Sequence, residues 1–505
     1  MELDIVSICL FLFNQQNFYP KTALPKIMKK KLHLFIPLIL LTLTAILTAL
    51  EFWFGIISDK LMFAARWITI LSFIGYCIKK RSLTSWILWS IIVGAALGYD
   101  YPDLAKSLHP LSQGFIKLVK TIVGPILFST LVYGIAGHSD LKQVGRMAWK
   151  SMVYFYIAST IALFIGLAAI NITQAGKGID MSHVPEMELP DRSGAMAASD
   201  LKELEGLPKD IHWVFQTTSF FRDSFPENIA KSIYENKVLQ IVVFAVIFGI
   251  GLALVEEKKR KPLVDFMESL AETMFKYTHI VMYFAPFGVG AAMAYTVGHM
   301  GLDILKNLAM LLMTLYAALT VFLLGVLLPV ALYFKIPVRK FITAIKEPVS
   351  IAFATTSSDA ALPLVMTHME RFGVPRRIVS FVVPTGYSFN LDGTTLYLSL
   401  ASIFVAQAAG MHLSFGQQLL ICLTLMITSK GVAAVPRASL IILIATADQF
   451  GLPLFVIAAI LGIDELMDMA RTSVNVIGNC LASAVIASWE GEFDREKALN
   501  YTDDD

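Results

Sequence analysis

The sequence predicts an all-α polytopic membrane protein, and three observations carry the prediction. The chain is 56% hydrophobic and 16% charged, with a mean hydropathy of +0.66, whereas soluble domains are roughly a quarter charged. Its apolar segments are long enough to cross a bilayer as helices, and Lys/Arg clusters recur at alternate ends of them. Some of these segments are broken by polar residues, Gly and Pro, which hydrocarbon tolerates only where protein or a wet cavity covers them. The net charge of +2 carries no information about nucleic acid, and none is expected as a partner. Cys9, Cys77, Cys422 and Cys480 lie in apolar segments at unrelated spacings, which suits neither a metal site nor a disulfide framework. The nine histidines show no paired spacing, so no metal ligands and no cofactor are expected.

In chain order, residues 1–31 read as an N-terminal extension. Ile5 to Phe13 is apolar but has no basic stretch before it, so no secretory signal is expected. Met28-Lys29-Lys30-Lys31 then precedes an apolar run from Leu32 to Ile57, and a second from Leu61 to Ile78 ends in Lys79-Lys80-Arg81. Basic clusters at the outer ends of this pair place both ends in the cytoplasm. Further spans are expected at about Ser85–Tyr99, Phe115–Gly137 and Ser151–Ile172. Lys142, Arg146 and Lys150 mark the turn before the last of these as cytoplasmic. From about residue 173 to 233 the chain turns polar and reads as an extracellular loop. Val238–Val255 is apolar again, and Lys258-Lys259-Arg260-Lys261 returns its end to the inside. Leu263–Val297, bent at Pro286, and Leu302–Phe334 follow, with Lys335, Arg339, Lys340 and Lys346 on the next cytoplasmic face.

Beyond Lys346 the alternation of spans fails. Residues 341–370 hold Thr355-Thr356-Ser357-Ser358-Asp359-Ala360-Ala361-Leu362-Pro363 at their centre, and arginines resume at Arg371, Arg376 and Arg377, as if the chain entered and left on one side. Residues 413–447 repeat the arrangement around Ser429-Lys430-Gly431-Val432-Ala433-Ala434-Val435-Pro436-Arg437. The two tips share Ala-Ala-(Leu or Val)-Pro. Paired interrupted segments in corresponding halves mark inverted-repeat secondary transporters. Between them, Pro384-Thr385-Gly386-Tyr387-Ser388-Phe389-Asn390-Leu391-Asp392-Gly393-Thr394-Thr395 interrupts an apolar run from Ile378 to Ala409. The alternative is a short cytoplasmic loop, but its neighbours are apolar rather than charged and turn-rich.

The last apolar segment, Gly462–Ser488, carries Asp464, Asp468, Arg471, Thr472, Asn475 and Asn479. At about 100° per residue these fall within roughly a 100° arc. One reading is a structural Asp468–Arg471 pair holding two helices together. The other is a receptor stripe: Arg suits bidentate capture of a carboxylate and Asp suits an ammonium, which together fit an acidic amino acid. An intramembrane aspartyl protease built on Asp392 with Asp464 or Asp468 is a third possibility. It leaves Arg471, Asn475 and the two tips without a use. A passive channel would not need a pocket of paired opposite charges.

These motifs resemble the dicarboxylate/amino acid:cation symporters, the glutamate transporter family. The resemblance rests on the serine-rich tip Ser357–Pro363, on Asn390-Leu391-Asp392-Gly393-Thr394, on the second tip and on Asp464 through Asn479. Lys117 to Phe128 is similar to the family's second helix, so the likeness covers most of the chain from Ser85 onward. Thr385 to Asp392 and Asp468-Met469-Ala470-Arg471-Thr472 look closest to the bacterial proton-coupled glutamate/aspartate branch. The resemblance implies a glutamate-transporter-like fold with eight core transmembrane helices and two re-entrant hairpins, to which residues 32–81 add an extra helical pair. It implies scaffold and trimerisation helices in 82–262, with the third helix joining the transport domain. The transport domain would occupy 263–490 with hairpins at about 341–370 and 413–447, followed by a cytoplasmic tail over 491–505. By position, Arg471 would hold the substrate's side-chain carboxylate and Asp468 its amino group. Thr472, Asn475, Thr394 and the backbone around Ser358 and Val435 would complete the pocket. The partners implied are an acidic amino acid, protons or sodium, membrane lipid and two further copies of the chain. The setting implied is a bacterial inner membrane, with both termini cytoplasmic.

Departures from the family pattern bear on the coupling ion. Asn479 stands where sodium-coupled relatives have an aspartate, Leu391 where they have a methionine, and Ala158 where the third helix has a sodium-ligating threonine. Sodium is a hard cation that wants several oxygen ligands, so coupling to protons is the expectation. Asp392, Asp464 and Asp468 are the carboxyl candidates, with Asn390 and Asn479 organising the site. Animal members carry a glutamate just after the tyrosine matching Tyr397, and here that residue is Leu398. A C4-dicarboxylate substrate and sodium coupling are the alternatives. Arg437, where the family has glycine, is left without a role.

Overall fold

The computed structural model describes residues 58–80, 82–136, 141–179, 225–234, 238–429, 438–450 and 454–502, together with Leu452 and most positions from 37 to 48. The N-terminal extension, most of the first predicted span, most of the polar loop and the second tip therefore lie outside the described residues. The chain divides into two compact units, Met1–Ser85 and Trp86–Asp505.

In the first unit, helix α1 (Asp59–Lys80) starts on an acid and ends on two lysines, the polarity that suits the helix dipole. The Thr69 hydroxyl meets the Thr44 hydroxyl at 2.7 Å, tying α1 to the apolar helix Ile39–Thr48. Only 17% of the apolar window of α1 is buried.

The second unit is helical, with no strand among the described residues. Helices α2 (Leu83–Asp100, starting at the unit boundary), α3 (Pro102–Ser107), α4 (His109–Ala136), α5 (Leu141–Thr173), α6 (Ile229–Tyr234) and α7 (Val238–Ala253) come first. The predicted span Leu263–Val297 is two helices, α8 (Glu257–Met282) and α9 (Ala285–Met300), meeting at 52°. The bend falls at Tyr283–Phe284, just ahead of Pro286, which sits in the first turn of α9 where a missing N–H is not needed. The next span is α10 (Asp303–Phe322) and α11 (Leu328–Tyr333), joined by a π turn at Leu323–Leu327. Pro329 has no amide to give the preceding turn, and the ladder widens there.

Helices α12 (Val338–Thr355) and α13 (Ser358–Arg371) pack against each other around a turn in which Thr356 takes φ 53°. Ser357 caps α13, its hydroxyl accepting from the Ala360 amide. After α14 (Arg376–Phe389) the chain leaves helix at Asn390 and Leu391 only, then resumes as α15 (Asp392–Ala408). The interruption expected over Pro384–Thr395 is thus two residues long, and Pro384 lies inside α14. Helices α16 (Phe415–Thr428) and α17 (Ala438–Gln449) flank the second tip, and α18 (Leu454–Glu490) and α19 (Arg495–Leu499) close the chain.

Six described helices are long and apolar enough to cross a membrane, seven if the bent α8–α9 pair is one span. The sequence predicts more because α7 has only 16 residues and the α14–α15 run is broken. Burial singles out α18: 83% of its span window is inside the protein. It is flanked by α9, α10, α12, α14 and α15, and α15 in turn lies along α5. Helix α4 packs instead with α7, α8 and α9. The polar stripe of α18 is therefore enclosed by helices rather than turned to lipid.

Candidate functional site

Asp464, Asp468, Arg471, Asn475 and Asn479 follow one another at spacings of three and four, which stacks them along one face of α18. Thr472 lies beside them, and all six are buried. Arg471, with no exposed surface, is the largest fully buried side chain. Its Nη1 donates to Asp464 Oδ1 at 2.9 Å and its Nε to Asp468 Oδ1 at 2.9 Å. Thr472 Oγ1 donates to the same Asp468 oxygen at 3.0 Å. From α15, the Tyr397 ring lies 4.1 Å below the guanidinium carbon, a cation–π contact in a dry setting. The Tyr397 hydroxyl is within electrostatic reach of Asp464 and Arg471 but closes no hydrogen bond of normal geometry.

Taking each ion out of water costs several kcal/mol, which pairing and hydrogen bonding must offset. Both ion pairs stay within α18, so neither joins two helices. That removes the structural purpose one reading gave to Asp468–Arg471. The pairing is also incomplete: Arg471 Nη2 and Asp464 Oδ2 are buried with no hydrogen-bond partner among the described residues. A buried guanidinium with an open donor, beside two carboxylates, is equipped to accept an anion and a cation together.

One turn further, Asn475 joins the stripe to the break in the α14–α15 run. Its Oδ1 accepts from the Gly393 amide at 2.8 Å and the Thr394 amide at 3.2 Å, and its Nδ2 donates to Thr394 Oγ1 at 2.9 Å. These are the unpaired amides of the first turn of α15, so Asn475 caps that helix from across the interface. Gly393 permits the approach, since a Cβ there would run into the Arg471 carbonyl. One further turn on, Asn390 Nδ2 donates to Asn479 Oδ1 at 3.3 Å, and Asn479 Nδ2 to the Asn390 carbonyl at 3.4 Å. Asp392, fully buried, accepts from Ser159 Oγ of α5 at 3.3 Å.

The structure thus bonds Asp464, Asp468, Arg471 and Thr472 into one group and Asn475 to Thr394 one turn on, with Asn390, Asp392 and Asn479 beyond them. Ser358 is buried at the start of α13, which packs on α18. Val435 and Arg437 lie outside the described residues. Two site residues went unassigned by sequence reasoning. Ser159 shows in the sequence as a hydroxyl within an apolar span, next to Ala158. Tyr397 has no local signal: only packing puts its ring under Arg471. Among the described residues no three His, Cys, Asp or Glu side chains cluster so as to hold a metal ion.

Fold and site together define an integral membrane protein of apolar helices around a buried, charge-bearing polar stripe. Residues 83–489 match the family described as the sodium:dicarboxylate symporter family, and the chain belongs to that family. It is 42% identical over 430 residues to the proton/glutamate-aspartate symporter of Escherichia coli K12, covering 84% of this chain and 96% of that one. It is 41% identical over 422 residues to the proton/sodium-glutamate symport protein of Bacillus caldotenax, covering 82% and 97%. The C4-dicarboxylate transport protein of Agrobacterium fabrum is 42% identical over 413 residues, covering 81% and 89%. The family is one of transporters, not enzymes, and the protease reading falls with it.

Proposed function

We propose that the protein imports glutamate and aspartate in symport with protons. The observation that carries this reading is the buried trio of Arg471 between Asp464 and Asp468, with Arg471 Nη2 open. Arg471 takes the substrate's side-chain carboxylate, Asp468 its ammonium, and Thr472, Asn475 and Thr394 line the remainder, with the backbone near Ser358 and Val435 closing the pocket. The names of the relatives from Escherichia coli and Bacillus caldotenax support the substrate class.

Protons rather than sodium fit the donor set. Where a hard cation would want oxygen ligands, Leu391 offers none and Asn479 offers an uncharged amide whose Oδ1 already accepts from Asn390 Nδ2. The eight core spans on this reading are α2, α4, α5, α7, α8–α9, α10–α11, α14–α15 and α18, with α12–α13 and α16–α17 as re-entrant hairpins. On this reading α5, the hairpins, α14–α15 and α18 move as a transport domain against a trimeric scaffold, in a bacterial inner membrane with both termini inside. The first hairpin gates the cytoplasmic side and the second the outside.

A C4-dicarboxylate is the second reading, supported by the similarity to the Agrobacterium fabrum transporter. Asp468 separates the two, because an ammonium needs that carboxylate and a substrate without an amine is repelled by it. Counterflow in proteoliposomes decides: L-aspartate exchanges, succinate does not, and Asp468→Ser abolishes amino acid exchange. Succinate exchange equal to L-aspartate, surviving Asp468→Ser, overturns the assignment.

A further inference from the structure

We propose that Asp464 carries the coupled proton, taking it up when the substrate carboxylate displaces it from Arg471. This deepens the proton-symport reading and rests on it.

As the structure stands, one guanidinium serves two carboxylates. Glutamate or aspartate adds two carboxylates and an ammonium, a further net negative charge. Bidentate capture of a carboxylate needs two neighbouring N–H groups. Nη2 is open, but Nη1 is held by Asp464 and Nε by Asp468. In the proposed step the substrate carboxylate takes the Nη1–Nη2 edge, one N–H from each, and the guanidinium swings off Asp464 to meet it. Asp468, still held by Nε and Thr472, is left beside the arriving ammonium. Asp464 is then a carboxylate with no exposed surface and no cation, a state protein interiors do not sustain. A proton from the aqueous side forms an O–H bond on Asp464 and removes that charge. When substrate leaves, Arg471 returns, the O–H bond breaks and the proton goes to water.

Beside Asp464, the next residue, Glu465, is also a buried carboxyl and has an interaction of its own. Tyr397 of α15 bears on Asp464 and Arg471. Tyr316 of α10 spends its hydroxyl on the Leu466 carbonyl at 3.0 Å. Asp303 and Lys306 of α10 pair with each other at the surface. From α9, Met293 packs on Gly462, while His299 lies against Tyr295. Asp359 of α13 bears on Tyr387 instead. The paired charges of α12, α13 and α14, such as Lys340, His368 and Arg377, meet the segment beyond Glu490, about 40 Å along α18 from Asp464. Asp392 accepts from Ser159 Oγ, and the test below separates it from Asp464.

The test is calorimetry of L-aspartate binding to the purified full-length protein in buffers of different ionisation enthalpy, which counts protons taken up on binding. Wild type takes up about one proton per substrate, and Asp464→Asn takes up about none. Uptake by Asp464→Asn equal to wild type overturns the assignment. Loss of uptake in Asp392→Asn with uptake intact in Asp464→Asn moves the proton to Asp392. No uptake by wild type itself overturns the proton-symport reading, a separate failure. Should Asp464→Asn bind no substrate, infrared difference spectra of wild type decide. A new protonated-carboxyl band on substrate addition is expected, and its absence overturns the proposal.

Discussion

Arg471 concentrates the chemistry of the molecule: two ion pairs, a ring contact and one open donor meet on a single buried guanidinium. Lysine keeps the charge but cannot fork onto a carboxylate while holding both aspartates. Arg471→Lys is expected to weaken glutamate and aspartate binding about 100-fold, a loss of roughly 3 kcal/mol. Titration of the purified protein measures it, and an affinity within threefold of wild type contradicts the role. Gly393 is as constrained as Arg471 for the opposite reason, since it must carry nothing. Gly393→Ala drives a Cβ into the Arg471 carbonyl and is expected to cut uptake by about tenfold or more, through displacement of α15 rather than lost charge. Uptake in vesicles at matched expression checks this. Asn479→Asp puts a carboxylate beside Asn390 and is expected to make uptake respond to a sodium gradient at fixed pH. Unchanged indifference to sodium there removes the argument drawn from Asn479.

Among the elements, α18 was the most legible in the sequence. Charged and amide residues at helical spacing inside an apolar span have few uses, and their arc predicts their shared face. The break between α14 and α15 was legible in kind but not in extent. Proline and glycine suggested a long interruption, yet Pro384 is absorbed in α14 and only Asn390 and Leu391 leave the helix. The tail was not legible. Residues 491–502 read as a polar end, but they strap the base of the α12–α13 pair. Gly373, at φ 99°, accepts from the Asp494 amide at 3.0 Å, and Arg377 pairs with Glu492. Phe493 and Tyr501 close on the buried Phe372 ring. His368 meets the Tyr501 hydroxyl at 2.9 Å and Lys340 donates to its carbonyl at 2.9 Å. Their value depends on aromatic partners distant in the sequence, so no local pattern announces them. Tyr501→Ala is expected to cost about 2–4 kcal/mol and to lower the thermal midpoint of the detergent-solubilised protein by several degrees. No shift means the strap does not bear on stability.

At the scale of the molecule, burial is arranged around transport. Among the described spans the helix with the charges is the most enclosed. Such a stripe has a use only if the body bearing it can expose the stripe alternately to each side, which the proposed trimeric scaffold allows. Cross-linking in the membrane is expected to give a species near 167 kDa, three chains of 55.8 kDa, and a chain that runs only as a monomer contradicts that assembly. The central claim is that downhill protons drive acidic amino acids inward through the Arg471 site. Uptake of L-glutamate or L-aspartate by proteoliposomes in sodium-free buffer, with an imposed inward pH gradient, tests it most directly. The account predicts accumulation above the external concentration that a protonophore abolishes. Accumulation driven only by a sodium gradient at fixed pH would contradict it.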